Sequence, residues 1–236
     1  MVGGKRHWWL WSAVTVCVVG GGLVWLGRDR ITAWFAPRSA IVTAVEPRPP
    51  VQTPHQQHDV RQQLAAAAAG QIGVTRLYDP AYVRLAYPGG DVSADRGVCS
   101  DVVVRAFRRV GWDLQVAVHD DMTAHMAIYP TRWGMRRPDA NIDHRRVLNL
   151  MTWFDRQGWT QPITTTPQDY VAGDVVAWDL GRGLTHIGVV VPDGQGRPRV
   201  VHNIGDGVQQ EDVLFAWTQI GHYQIGTRPL SPRNRH

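Results

Sequence analysis

The sequence predicts an α+β fold, with helices packed on an antiparallel sheet and one transmembrane helix ahead of them. Three observations carry this. Apolar residues recur at helical spacing through the middle of the chain, short apolar runs between glycine-rich turns fill its last third, and an uncharged run stands near its start. Helices first and a strand meander later make a layered α+β domain.

The uncharged run is Trp8 to Leu26, WWLWSAVTVCVVGGGLVWL, flanked by Lys5-Arg6 and Arg28-Asp29-Arg30. About 20 apolar residues cross a hydrocarbon core, so this run is just long enough. Trp8, Trp9 and Trp11 lie at one end, Trp25 and Trp34 at or beyond the other, as interfacial tryptophans do. A cleaved signal peptide would have a shorter apolar region and a small-x-small site, and none stands out. A retained anchor over residues 1–35 is therefore expected. Cys17 follows Val16, not a small residue, and reads as an apolar residue inside the span. Residues 36–57 hold Pro37, Pro47, Pro49, Pro50 and Pro54. They are expected to form a semi-extended tether of about 20 residues at roughly 3 Å each.

One domain is expected over 58–226, followed by a basic tail over 227–236. Asp59–Gln71 reads as a helix with an alanine run, ended by Gly70 or Gly73. Tyr78 to Asp95 is loop-rich. From Cys99, the residues Val102, Val103, Ala106, Phe107 and Val110 form one apolar stripe, with Gly111 as the stop. Helices are predicted over Val116–Met126 and His144–Gln157, the latter with Asp143 as cap and Gly158 after its end. Beyond Pro167 the period changes to that of strands: 174–179, 185–191, 199–204 and a fourth within 221–225. Short turns between them imply antiparallel pairing.

Composition excludes several functions. The chain has 236 residues, a formal net charge of +5 and a pI of about 9.7. The charge sits at the ends: residues 1–39 carry +4 and the tail +3, whereas 58–225 carry −2. The body therefore presents no basic face, and no nucleic-acid partner is expected. Two cysteines cannot make a disulfide scaffold or a four-cysteine zinc site. His119 and His125 are six apart, a spacing that helical ligand pairs do not use, so neither a metal nor any other cofactor is expected.

Cys99 is the one cysteine beyond the predicted span, at a helix start where free amides and the helix dipole favour a thiolate. His186 opens a strand and His202 lies on the next. A helix-start cysteine with histidines on later strands is the layout of a thiol nucleophile and its base. Strand alternation puts His202 and Asn203 on opposite faces, so only one of them can face His186.

These residues carry a resemblance. Tyr87-Pro88-Gly89-Gly90, Cys99-Ser100-Asp101, Gly173-Asp174-Val175-Val176, Thr185-His186-Ile187-Gly188 and Val201-His202-Asn203 resemble the NlpC-type papain-like cell-wall peptidases. Tyr78-Asp79-Pro80, Asp95 to Cys99, Asn141 to Arg146 and His202 to Gly205 resemble, more narrowly, the bacterial domain of unknown function 1287 family, over about Ala65 to Tyr223. The resemblance implies a papain-like fold with Cys99 as nucleophile, His186 as base and His202 orienting the imidazole, with Asn203 as the alternative third residue. The Cys99 backbone N–H and the Tyr87 hydroxyl would stabilise the oxyanion. Val98 and Asp101 depart from the wider pattern, which usually has aspartate and glycine there. Arg96, Asp101 and Arg145 are candidate substrate-binding residues, guanidinium geometry being suited to a substrate carboxylate.

The expected function is thus a membrane-anchored cysteine hydrolase cleaving an amide or peptide bond in peptidoglycan. It would sit in the bacterial inner membrane by a single pass, with the catalytic domain in the periplasm. Peptidoglycan or another envelope substrate would be its partner. The alternatives are a non-catalytic envelope binding module of the same fold, or an acyl hydrolase or transferase on a non-peptide substrate.

Overall fold

Alanine combines the best helix propensity with the smallest side chain, and residues 65–69 use both properties. The computed structural model describes residues 54–226, and α1 (Pro54–Ala69) opens them, reaching four residues into the expected tether. Leu64, Ala65 and Ala68 bury its inner face, which lets α1 lie close along α2 (Cys99–Arg109). The expected span, most of the tether and the tail fall outside the described residues. Among the described residues no helix is long and apolar enough to cross a membrane.

Between these helices the chain makes a two-residue parallel pair, β1 (Leu77–Tyr78) with β2 (Arg96–Gly97). After α2 come α3 (Leu114–His125), capped by the Asp113 carboxylate on the Gln115 N–H at 3.1 Å, and α4 (Val147–Gln157). The predicted start of α4 near His144, with Asp143 as its cap, is corrected. Asp143 to Arg145 form a separate 3₁₀ turn, because the Asp143 carboxylate accepts the Asp139 N–H and lies against His119. Gly158 ends α4 in the left-handed conformation, as its position predicted.

The last third is a five-stranded antiparallel sheet of β3 (Val175–Gly181), β4 (Leu184–Pro192), β5 (Pro198–Asn203), β6 (Val208–Glu211) and β7 (Thr218–Tyr223). Its order is β6-β5-β4-β3-β7, so the chain returns after β6 to close the far edge of β3. The mixed α+β class and the antiparallel sheet agree with the sequence pattern, although β6 was not foreseen. Period-two alternation sends Val175, Ala177, Ile187, Val189 and Val201 to the helices. It sends Val176, Trp178, Val190 and Val200 to the other face, where Tyr170 and Leu214 cover them. On the helical side Phe107, Trp112, Trp153, Phe154 and Trp159 form one aromatic core, with ring centroids 5.3–6.0 Å apart. That core fixes α2 and α4 against the sheet.

Candidate active site

Cys99 is the first residue of α2, and four side chains hold that helix start. The Asp101 carboxylate accepts the Val98 N–H at 2.7 Å, satisfying one of the free amides at the helix end. The Arg145 guanidinium grips the same carboxylate with two bonds of 2.9 Å and donates to the carbonyls of Ala81 and Asp79. Ser100 Oγ donates to the Arg145 carbonyl at 2.7 Å. From β5, Asn203 Nδ2 donates to the carbonyls of Gly97 and Leu77. Gly97 has to be glycine: its φ is +157°, and a Cβ there would stand 2.9 Å from the Asp101 carboxylate.

The two histidines of the expected site are on the sheet. His186 Nε2 and His202 Nδ1 are 2.9 Å apart, one donating to the other. This contact requires close approach of β4 and β5. A Cβ on Gly188 would meet Val200 Cγ1 at 2.5 Å and His202 Cβ at 3.2 Å. The two imidazoles are 2% and 1% exposed, with Trp217 edge-on to both and Trp178 beside His186. Oε2 of Glu211, on β6, stands 2.9 Å from His202 Nε2 without lying along its N–H direction, so this contact is an ion-pair distance rather than an aligned hydrogen bond. The Cys99 thiol lies against the backbone amide of Ile187, the residue after His186.

Burial decides the charge state. It pushes the Cys99 thiol up to about 12, against the opposing backbone amides of Ile187, Ser100 and Cys99 itself and aided by the negative charge of Asp101. The thiolate expected from the helix start is therefore overruled by desolvation. Burial likewise depresses His186 to about 3, with His202 adding to the effect. His202 is also lowered by burial, with Glu211 opposing. At neutral pH the thiol is protonated and both imidazoles are neutral.

The expected site residues divide accordingly. The structure brings His186 and His202 together but not with Cys99: the imidazoles lie on the face of the sheet that carries Trp178, whereas Cys99 lies on the helical face, against the Ile187 amide and with Asn203 bracing the segment before it. Asp101 and Arg145, expected to face substrate, form a buried pair that locks the helix start. Arg96 alone of the expected substrate-binding residues stays open, beside Asp79 and Asp95. The Tyr87 hydroxyl donates to Asp120, 3.1 Å away. The tyrosine nearer to the thiol is Tyr78, aligned with Gly97 across the β1–β2 pair. Its hydroxyl is pushed up by burial and by the charges of Cys99 and Asp101. Two surface cavities, of about 540 and 760 Å³, lie elsewhere: one beside Gln71 and Arg109, the other beside Tyr170 and Phe215. Among the described residues no cluster of three or more His, Cys, Asp or Glu side chains could hold a metal.

Residues 65–225 match the model of the family described as Domain of unknown function (DUF1287). The chain belongs to that family. It is 58% identical over 164 residues to the uncharacterized protein YijF of Escherichia coli K12, a match covering 68% of this chain and 80% of that one. Among solved structures it is similar to a lipoprotein-like NLP/P60-family protein of Staphylococcus aureus Mu50, at 15% identity and a TM-score of 0.35. That match covers 79% of this chain and spans 45% of the other protein's length. The DUF1287 match runs from within α1 to beyond β7, and so takes in Cys99, His186, His202, Glu211 and every side chain that holds the helix start.

Proposed function

We propose that the domain is a cysteine hydrolase that cleaves an amide bond, most simply a peptide bond of peptidoglycan. The observation that carries the reading is Cys99 at the first position of α2, its thiol against the backbone amide of Ile187, the residue after the expected base His186. The substrate class rests on the resemblance to NlpC-type peptidases.

Because the thiol and the imidazole are both neutral at rest, attack and proton transfer are coupled. In this reading the S–H proton passes to His186 as the sulfur–carbon bond forms, which requires the imidazole to turn from the outer face of β4 toward Cys99. His186 then returns it to the leaving amine, and water released onto the acyl-enzyme completes the cycle. His202 holds the His186 ring and receives part of its charge. In this reading the Cys99 N–H and the Tyr78 hydroxyl serve as oxyanion donors, and Arg96 is the open cation. In this reading the uncharged run at 8–26 is the anchor in the bacterial inner membrane, and the domain works in the periplasm on envelope material.

The test is incubation of the full-length chain with purified sacculi. Soluble fragments with new amino termini are expected from the wild type and none from Cys99→Ser. Release by the Ser variant equal to the wild type would end the proposal.

One observation favours a second reading, a binding module with a structural Cys99: that residue is only 5% exposed and its thiol is shifted toward protonation. Alkylation in a Cys17→Ser background separates the two. In a hydrolase, His186→Ala slows labelling of Cys99 several-fold. In a binding module the two rates coincide, both being set by local opening.

A further inference from the structure

One face of α2 meets the core and another meets a cavity. Cys99, Val102, Val103 and Ala106 join the core, whereas Arg105, Arg108 and Arg109 stand at i, i+3 and i+4 on a different face. These three arginines line a cavity of about 540 Å³, a size that takes a small ligand. Its apolar lining includes Ala67 in the last turn of α1, with Val74 and Ala94 from the loops on either side of β1.

The polar groups of this lining are only partly used. Arg105 forks onto the Asp91 carboxylate at 2.8 and 3.0 Å. Arg108 lies near the same carboxylate and donates to Asp113 at 3.3 Å, but its buried Nε has no partner. Arg109 is exposed and finds no partner among the described residues. Gln71 is 8% exposed, and its Nε2 donates to the Val102 carbonyl at 2.9 Å. That bond fixes the orientation of the amide and leaves Oε1 without a donor. Three guanidinium groups and one carboxylate therefore line the cavity, together with an amide whose acceptor is unused.

A ligand that satisfies this set has three parts. A carboxylate matches the planar fork of a guanidinium, an N–H matches Gln71 Oε1, and a small apolar group matches the alanines and Val74. The last residue of a peptide carries all three, as its terminal carboxylate, its backbone N–H and a short side chain. Inorganic phosphate supplies only the anion. We propose that this cavity binds the free carboxy terminus of a peptide that ends in a small apolar residue. The cavity is on a face of α2 that Cys99 does not share, so binding stands apart from the hydrolase reading.

Saturation-transfer NMR on the full-length chain tests it. The probes are N-acetyl-alanyl-alanine and its carboxy-terminal amide, with inorganic phosphate as competitor. Arg109→Ala removes the unpaired cation, and Val74→Trp fills the cavity from a position that is 51% exposed, so neither change reaches the core. Arg137→Ala, which removes an exposed arginine outside the cavity, is the control. The free acid is expected to bind the wild type and Arg137→Ala with a Kd of about 1 mM. Binding should weaken about tenfold or more in Arg109→Ala, in Val74→Trp, and for the amide on the wild type. Equal binding of acid and amide, unchanged binding in Arg109→Ala, or no binding of the acid by the wild type would each overturn the proposal. Displacement of the peptide by phosphate at equal concentration would overturn it too, by showing a site for anions alone.

Discussion

Asn203 Nδ2 donates to the Gly97 carbonyl at 2.9 Å, joining the strand that carries His202 to the backbone two residues before Cys99. The two segments are about a hundred residues apart in sequence, and this bond ties β5 to the start of α2. Asn203 is fully buried, so replacing it with alanine strips a partner from the carbonyls of both Gly97 and Leu77. The Asn203→Ala variant should lose about 1–3 kcal/mol of stability. The midpoint of urea unfolding reports the loss.

The Asp101–Arg145 pair makes a sharper prediction. Both side chains are almost completely out of water, with two charge-assisted bonds of 2.9 Å between them. Removing one partner leaves the other charge buried and unpaired, so Arg145→Met should cost about 3–5 kcal/mol. Changing both, as in Asp101→Leu with Arg145→Met, should recover much of that loss, because a buried pair contributes little beyond an apolar replacement. A double-mutant cycle by denaturant unfolding checks it. Failure of the double variant to recover would mean that the Val98 N–H and the Ala81 carbonyl, which the pair also satisfies, dominate its contribution.

A second buried pair sets a pH dependence unrelated to the site. His222 Nε2 is 2.9 Å from the Asp174 carboxylate and His222 Nδ1 is 2.9 Å from the Pro162 carbonyl. Both ring nitrogens are therefore donors, and the imidazole is held as a cation. Burial acts to lower its pKa, but the Asp174 carboxylate and the Pro162 carbonyl outweigh burial and raise it. A raised folded-state pKa means that the stabilisation is fully present below the ordinary histidine value of about 6.5 and is lost as pH rises through the folded value. Melting temperatures from pH 5.5 to 9 should fall more steeply for the wild type than for His222→Gln. Parallel curves would show that the pair does not titrate in this range.

Much of this architecture was legible in the sequence, and the exceptions share a physical cause. The helix at Cys99 announced itself through Val102, Val103, Ala106 and Phe107. The strands of His186 and His202 were marked by apolar runs between turns, and period-two alternation already separated His202 from Asn203. What failed to show were the contacts created only by closure. Arg145 lies 44 positions from Asp101, and nothing in its neighbourhood distinguishes a buried clamp from a solvated arginine. The strand bearing Glu211 reads Val-Gln-Gln-Glu, too polar to signal a strand, because it is an edge held on one side by β5. Tyr78 and Tyr87 are nine residues apart in the same loop-rich stretch, and only the short parallel β1–β2 bridge brings the former beside Gly97.

The narrowest gap in the site leads to the last prediction. Gly188 faces Val200 and His202 at the point where β4 and β5 come together, and a methyl group there would meet Val200 Cγ1 at 2.5 Å and the Val201 carbonyl at 3.1 Å. Both strands are fixed on their other edges, β4 by β3 and β5 by β6, so relief has to come from separating β4 and β5. Separation by a few tenths of an ångström leaves the sheet intact but stretches the 2.9 Å contact between His186 and His202, since hydrogen bonds weaken steeply with distance. Gly188→Ala should therefore cost about 1–3 kcal/mol from overpacking, and reduce fragment release from sacculi further than the unfolded fraction explains. Measuring release per folded molecule, with folding taken from circular dichroism at the assay temperature, separates these effects. Release that tracks the folded fraction alone would mean that the histidine contact tolerates the displacement.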